Sequence, residues 1–306
     1  LELSLPRLKL MRKPIFGIGG LQVLLSTAGL GVAAYFFQDS SWRSAVIIGA
    51  ALALSSTAVG LQLLSERKEL NSDHGRLAFA ILLFQDLAAI PLLAAIPLLG
   101  GVATGDDPSR AMAIAKAVGA IALLVIGGRL LLRELFKRIA RLEMPEVFTA
   151  TALLVVLGSA WLLQMVGLSA GLGAFIAGVI LADSEFRHEL ESQIQPFEGL
   201  LLGLFFMAVG MSIDLRYVID HPTVIVLGVL ALMTIKFAIL FALGKGPGKL
   251  DTRGALLLGG VLALGGEFAF VVFGEAQRAG LIDNERRNLL TAVVGLSMAL
   301  TPLLLM

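Results

Sequence analysis

The chain has 306 residues, of which 57% are hydrophobic and 15% charged, with a net charge of +1 and no cysteine. Soluble domains carry a charged fraction of about one quarter, so an ordinary soluble domain is excluded, and the lack of thiols excludes disulfides and thiolate metal sites. A balanced charge without a basic tract gives no sign of a nucleic-acid partner.

The apolar residues fall in blocks of about 20, the length that crosses a bilayer core. Ten spans are expected in chain order: 14–37, 44–64, 77–100, 111–132, 147–166, 168–183, 197–214, 223–243, 254–275 and 288–306. The charged stretch LELSLPRLKLMRK precedes the first, without an initiating Met or a visible signal peptide, so the chain reads as a fragment whose earlier helices are missing. Sixteen Lys and Arg residues, among them Arg67, Lys68, Lys137, Arg138 and Lys245, fall on one set of connections. Six fall on the other: Arg43, Arg110, Arg216, Arg278, Arg286 and Arg287. The richer set is expected to be cytoplasmic, so the chain enters from the cytoplasm and ends there.

Span two contains Leu52–Ala58, LALSSTA, and span nine contains Leu262–Phe268, LALGGEF. Gly49-Ala50 precedes one and Gly259-Gly260 the other. An odd number of helix steps separates them, so they run in opposite directions, as in the inverted-topology repeats of secondary transporters. Both centres are poor helix. Ser55-Ser56-Thr57 competes for backbone hydrogen bonds, and Gly265-Gly266 lowers helix propensity. Two readings follow. Either small residues let helices pack closely, or the helices break, which lipid tolerates only around a cavity or inside protein.

Three ionisable residues sit near mid-span. Asp86 is alone in the apolar run 78–100, Lys236 in 224–243 and Glu267 in 254–274. Such residues are functional by default. A lone carboxylate in a cavity can hold a proton or a small cation, but not both comfortably. With alternating access, that exclusion forces exchange. Gln85 adds a carbonyl oxygen, and Ser56 and Thr57 add hydroxyls that could replace a hydration shell. The alternative for Asp86 is a structural ion pair with Lys236, and the two roles can coexist. Glu267 either caps a half-helix N-terminus, where negative charge is favoured, or contacts the ion directly. Lys116 lies near the start of its span and is read as snorkelling. The pairs Gly173–Ala177 and Ala174–Gly178 are read as helix packing. His74 and His188 are placed in cytoplasmic loops and His221 in an external one, as solvated residues without a metal cluster. No Gly-x-Ser-x-Gly or His-Glu-x-x-His pattern appears, and a membrane aspartyl protease would need two facing aspartates, so an enzyme is not expected.

LALSSTAVGLQLLSE, LLFQDLAAIP, GLGAFIAGVILADSEFRHELES, PFEGLLLGLFFMAVGMSI and LGGEFAFVVFGEAQ resemble, in order along nearly the whole chain, the Kef potassium:proton antiporters of the monovalent cation:proton antiporter-2 family. The resemblance implies an all-α polytopic membrane protein with a sodium/proton-antiporter-like inverted repeat. It implies roughly 13 helices, two of them broken and crossing near mid-membrane, of which this chain would hold the last ten. Residues 1–306 would form the transmembrane exchanger domain, without the N-terminal helices and without a C-terminal nucleotide-binding regulatory domain. Asp86 matches the transport carboxylate of the Gln-Asp motif, beside Gln85. Lys236 matches the basic charge partner, and Ser55–Thr57 and Gly265, Gly266 and Glu267 match the two crossovers. The transported ions would be potassium or sodium, held at Asp86, and protons, with no further cofactor. The partners would be membrane lipid and a second copy in a homodimer, with span one toward the interface, in the bacterial inner membrane. The stretch Arg187–Pro196, with His188, Glu191 and Gln193, matches the regulatory loop that contacts the nucleotide-binding domain and responds to glutathione. Gln193 and Gln195 depart from its acidic pattern. The leading expectation is antiport. The alternatives are a gated potassium channel-like efflux system and a sodium:proton antiporter.

Overall fold

The computed structural model describes residues 12–37, 41–100, 108–140 and 144–305. The charged stretch before Arg12, and Arg141, lie outside the described residues. Every regular element among the described residues is a helix. In chain order these are α1 (Pro14–Phe37), with a π-helical opening over Pro14–Gly19, α2 (Trp42–Ala53), α3 (Thr57–Glu66), α4 (Asp73–Gly100), α5 (Pro108–Ala140) and α6 (Pro145–Met165). There follow α7 (Ala170–Ala182), α8 (Arg187–Ser212), α9 (Leu215–Asp220), α10 (Pro222–Lys245), α11 (Thr252–Leu262), α12 (Phe268–Arg278) and α13 (Asn284–Leu305). The protein is an all-α polytopic membrane protein.

Among the described residues, five segments are long and apolar enough to cross a membrane: Pro14–Phe37, Trp42–Glu66, Asp73–Pro97, Glu146–Met165 and Pro222–Lys245. The bent pair Arg187–Phe197 and Gly199–Ser212 makes a sixth. Of the other four expected spans, 111–132 lies within α5 and 288–306 largely within α13. α7 is a short apolar helix of 13 residues, and span nine is divided into two helices of 11 residues each.

The helices form two compact units, residues 12–100 with 209–305, and residues 108–208. In the second of these, Phe136, Phe148, Ala152, Leu181 and Leu190 make a buried cluster, with the rings of Phe136 and Phe148 4.9 Å apart. Gly173 of α7 lies against α6, where an added Cβ would meet Ala160 Cα at 2.7 Å. The Gly173 half of the small-residue stripe therefore packs as expected, while Gly178 has open space. α5 runs to Ala140, past the expected end at residue 132, and Lys137 and Arg138 form its last turn rather than a loop. Basic side chains suit that end, because the last carbonyls of a helix carry partial negative charge.

The stretch Arg187–Pro196 is not a loop. It is the first arm of α8, which bends by 51° around residue 198, next to Pro196. The reason is local. Arg187–Glu191 (3.9 Å) and Glu189–Gln193 (3.4 Å) pair across one helical turn, and Glu189 sits in the first turn, where an acid is favoured.

In the other unit α1 and α2 meet at glycines. A Cβ on Gly49 would overlap Thr27 O and come within 2.6 Å of Gly31 N, so the two backbones touch. One face of α1 (Gln22, Ser26, Leu30, Gly31, Ala34) is buried by this contact. α4 and α11 share a core with α10, through Ala78, Ile81, Leu82, Leu240, Leu258 and Leu262. Spans two and nine are both interrupted, over 54–56 and 263–267, which selects breaks over close packing of intact helices.

The glycine contacts yield a paired expectation. Gly49→Ala should lower the melting temperature of the detergent-solubilised protein by several degrees, since overpacking costs about 1–3 kcal/mol. Gly178→Ala, which meets nothing within 4 Å, should leave it unchanged or raise it slightly.

Candidate functional site

The first break forms because Ser56 prefers to cap. Its φ and ψ are −72° and 115°, and its Oγ accepts from Val59 N at 3.3 Å, starting α3 at Thr57. Leu54 is extended as well, with ψ 144°. Extended backbone leaves polar groups without helical partners, and in an apolar surrounding each needs one.

Side chains from three other helices supply them. Gln85 of α4 accepts from Ser55 N through Oε1 at 2.7 Å. Its Nε2 donates to Gln22 Oε1 of α1 at 2.7 Å. Gln22 Nε2 in turn donates to Ser26 Oγ (3.0 Å) and Ala53 O (3.2 Å). Lys236 of α10 is fully buried, and its Nζ donates to Leu54 O (2.8 Å), Ser55 Oγ (2.9 Å) and Leu264 O (2.6 Å). Ser55 Oγ donates to Leu262 O at 2.7 Å. One ammonium and one hydroxyl therefore tie the two breaks together.

The breaks also meet backbone to backbone. A Cβ on Gly266 would lie 2.9 Å from Ser55 C and O, so only glycine allows this approach. Gly265 N donates to Ser297 Oγ of α13 at 3.0 Å, and Ser297 Oγ donates to Val294 O at 2.7 Å. The second break is thus held from α13 as well as from α10.

Asp86 follows Gln85, about 100° further round α4, so adjacent residues serve different neighbours. Gln85 is buried in the network, while Asp86 is half-buried and its Oδ1 accepts from Thr57 Oγ1 at 3.1 Å. Thr57 is the first residue of α3, and the carboxylate therefore sits at the positive end of a half-helix.

The sequence-predicted residues thus divide. Ser55, Thr57, Gln85, Asp86, Lys236, Gly265 and Gly266 are brought to one crossing. Ser56 spends its oxygen on the cap, and the Gln85 carbonyl oxygen is engaged by Ser55 N. In this arrangement both hold the break. Glu267 occupies the N-cap position of α12 but has helical φ and ψ (−59°, −32°) and makes no side-chain cap bond. The expected cap is therefore not made. His188, Glu191 and Gln193 belong to α8 in the other unit.

His74 is not a solvated loop residue. It lies in the first turn of α4, part-buried, with Nε2 3.2 Å from Glu69 Oε2. His221 stacks on Tyr217 with ring centroids 4.5 Å apart. Among the described residues, no three His, Cys, Asp or Glu side chains converge as a resident metal would require.

Gln22, Ser26 and Ser297 escaped the sequence reading. Gln22 and Ser26 stand one turn apart in an apolar span, and that spacing was the available signal. Ser297 offered none, because serine is common where helices pack in membranes.

The sodium/hydrogen exchanger transmembrane family model matches residues 1–306. Among curated proteins, K(+) efflux antiporter 1, chloroplastic, of Arabidopsis thaliana is 47% identical over 310 residues, covering 99% of this chain and 26% of that protein. The chain spans about a quarter of the length of that relative. The Kef-type resemblance read from the sequence is borne out by these matches.

Replacing Lys236 by Met should cost several kcal/mol, because it strips donors from two buried carbonyls and a hydroxyl at about 1–3 kcal/mol each. Ser55→Ala should cost less, and the losses should not add, since both residues serve one network. Thermal unfolding of the two single variants and the double variant in detergent measures this.

Proposed function

The chain belongs to the sodium/hydrogen exchanger transmembrane family, and from that premise we propose that it is a secondary active monovalent cation:proton antiporter, moving potassium outward in exchange for protons by alternating access. The observation that carries this reading is Asp86: an ionisable side chain in an apolar helix, bonded to Thr57 where α3 begins, beside two broken helices pinned by Lys236. A transport site for a bare cation needs oxygen ligands and a group that can give up a proton for it. Asp86 offers both. The Thr57 hydroxyl and the backbone oxygens of the breaks are the nearby hard ligands.

The exchange step follows from one carboxylate serving two ions. On one face of the membrane, protonated Asp86 releases its proton and the carboxylate takes up the cation. On the other, an incoming proton displaces it. Neither ion crosses alone, because the unoccupied carboxylate is costly to move through a low-dielectric barrier. Lys236 holds both breaks by their carbonyls, so the crossing moves as one body while access alternates. The match of LALSSTA with LALGGEF, both broken, supports the inverted repeat that such motion uses.

Potassium is favoured over sodium by the 47%-identical relative, a K(+) efflux antiporter by name. The protein is a multi-pass membrane protein, and we place it in a membrane that sustains a proton gradient. A bacterial inner membrane is one such place, and that relative's name gives a chloroplastic one. The functional unit is a homodimer in lipid. A regulatory nucleotide-binding domain would dock on the first arm of α8, through His188 and Glu191. Gln193 and Gln195 replace acidic positions of the glutathione-gated pattern, so glutathione control is not part of the proposal. No enzymatic activity is assigned.

Purified protein in liposomes should collapse an imposed pH gradient when potassium is added. Lithium or sodium in its place should act more weakly. Asp86→Asn should abolish the response while the protein keeps its oligomeric state and melting temperature. Wild-type exchange in that variant would refute the role of Asp86. Potassium conductance without proton movement would establish a channel instead, and a stronger response to sodium a sodium:proton antiporter.

A further inference from the structure

Among the described residues, three buried side-chain polar atoms have no hydrogen-bond partner: Ser169 Oγ, Arg187 Nε and Glu267 Oε2. The last stands out against its surroundings. At the first break, Gln22, Ser55, Gln85 and Lys236 are all bonded. At the second, Gly265 N has Ser297, yet the carboxylate two residues on has nothing on its buried oxygen. Burying such an oxygen without a donor is expensive, and native structures retain the arrangement only for a reason.

Structural reasons fail on geometry. A cap requires extended backbone at the capping residue, and Glu267 is already helical, with no bond from its side chain to the start of α12. An ion pair with Lys236 would need a free donor. An ammonium has three, and hydrogen bonds to Leu54 O, Ser55 Oγ and Leu264 O account for that number. Close packing explains Gly266, whose missing Cβ admits Ser55, but not the carboxylate beside it.

The placement is informative in another way. Each interrupted span resumes as a half-helix, α3 at Thr57 and α12 at Phe268. Asp86 bonds Thr57 at the first of these starts, and Glu267 immediately precedes the second. The two starts belong to breaks already in contact through Gly266 and Ser55. The Glu267 side chain is half-buried, and its one buried oxygen that no protein donor meets offers a hard ligand for a monovalent cation.

We propose that Glu267 is a second cation-binding carboxylate, a station on the path of the transported monovalent cation at the second break. The inference rests on the antiport reading of Asp86, and the two are separable by experiment. The other ionisable groups that face the crossing, from the elements packed on it, are Asp86 on α4 and Lys236 on α10.

The test compares wild type, Glu267→Gln and Glu267→Asp in proteoliposomes, measuring initial proton flux against potassium concentration. Glu267→Gln keeps the shape and removes the charge. It should raise the potassium concentration at half-maximal rate about tenfold, roughly the loss of one charge-assisted contact, with the maximal rate within about twofold of wild type. Glu267→Asp, which keeps the charge on a shorter arm, should fall between. Potassium should also protect wild type against thermal unfolding more strongly than it protects Glu267→Gln. An unchanged half-maximal concentration in Glu267→Gln would overturn the proposal. So would a fall in maximal rate and melting temperature with no change in potassium dependence, the mark of a purely structural residue. If Glu267→Gln does not fold, Glu267→Asp carries the same comparison. Absent exchange in wild type would remove the antiport reading itself, whereas exchange that is lost in Asp86→Asn and indifferent to position 267 would remove this inference alone.

Discussion

The ammonium of Lys236 is the contact on which the crossing depends. Two helices that stop in an apolar environment leave carbonyls pointing at nothing, and their C-terminal ends carry partial negative charge. One buried cation set between Leu54 O and Leu264 O answers both ends at once. A hydroxyl could bridge the same atoms but would bring no charge. The lysine also reaches both breaks from a third element, so it fastens α10 to both broken helices. Ser55 completes the tie, accepting from the lysine and donating to Leu262 O.

Around that contact the polar residues act as a set. Gln85 meets Ser55 N and Gln22, and Gln22 meets Ser26 and Ala53 O. A half-satisfied network of this kind would be worse than an apolar one, because unpaired groups in a low dielectric are costly. Rigidity at the crossing gives Asp86 a fixed address. Its neighbour Gln85 is committed to structure, while Asp86 faces the start of α3, where the Thr57 hydroxyl donates to it. The division of labour between two adjacent residues is a consequence of helical geometry.

Glycine decides how closely the parts approach. At Gly49 and Gly31 the backbones of α1 and α2 touch, and at Gly266 the two breaks touch. In lipid, helices gain little from hiding apolar surface, so close contact and interhelical hydrogen bonds carry association. The unit that holds Asp86 combines both at its crossing. The other unit joins one such glycine contact, Gly173 of α7 on α6, to a cluster of the rings of Phe136, Phe148 and Phe186.

Much of this was legible in the letters. Apolar blocks of bilayer length determined the fold class, because no soluble core accommodates so many. Isolated charges at mid-span marked Asp86, Lys236 and Glu267, since lipid tolerates them only with a purpose. Poor helix formers at matching places marked both breaks. The letters could not say which atom meets which. That Gln85 closes on Ser55, that Lys236 chooses carbonyls of both breaks, and that Gln22 joins from a span expected at an interface all depend on contacts between residues far apart in sequence. Local signals even misled where pairing at one-turn spacing made Arg187–Pro196 helical, and where Glu267 took the cap position without capping. Sequence determines which groups must be satisfied, because burial and propensity act residue by residue. Tertiary structure alone decides how they are satisfied, because a hydrogen bond depends on where two distant segments come to rest.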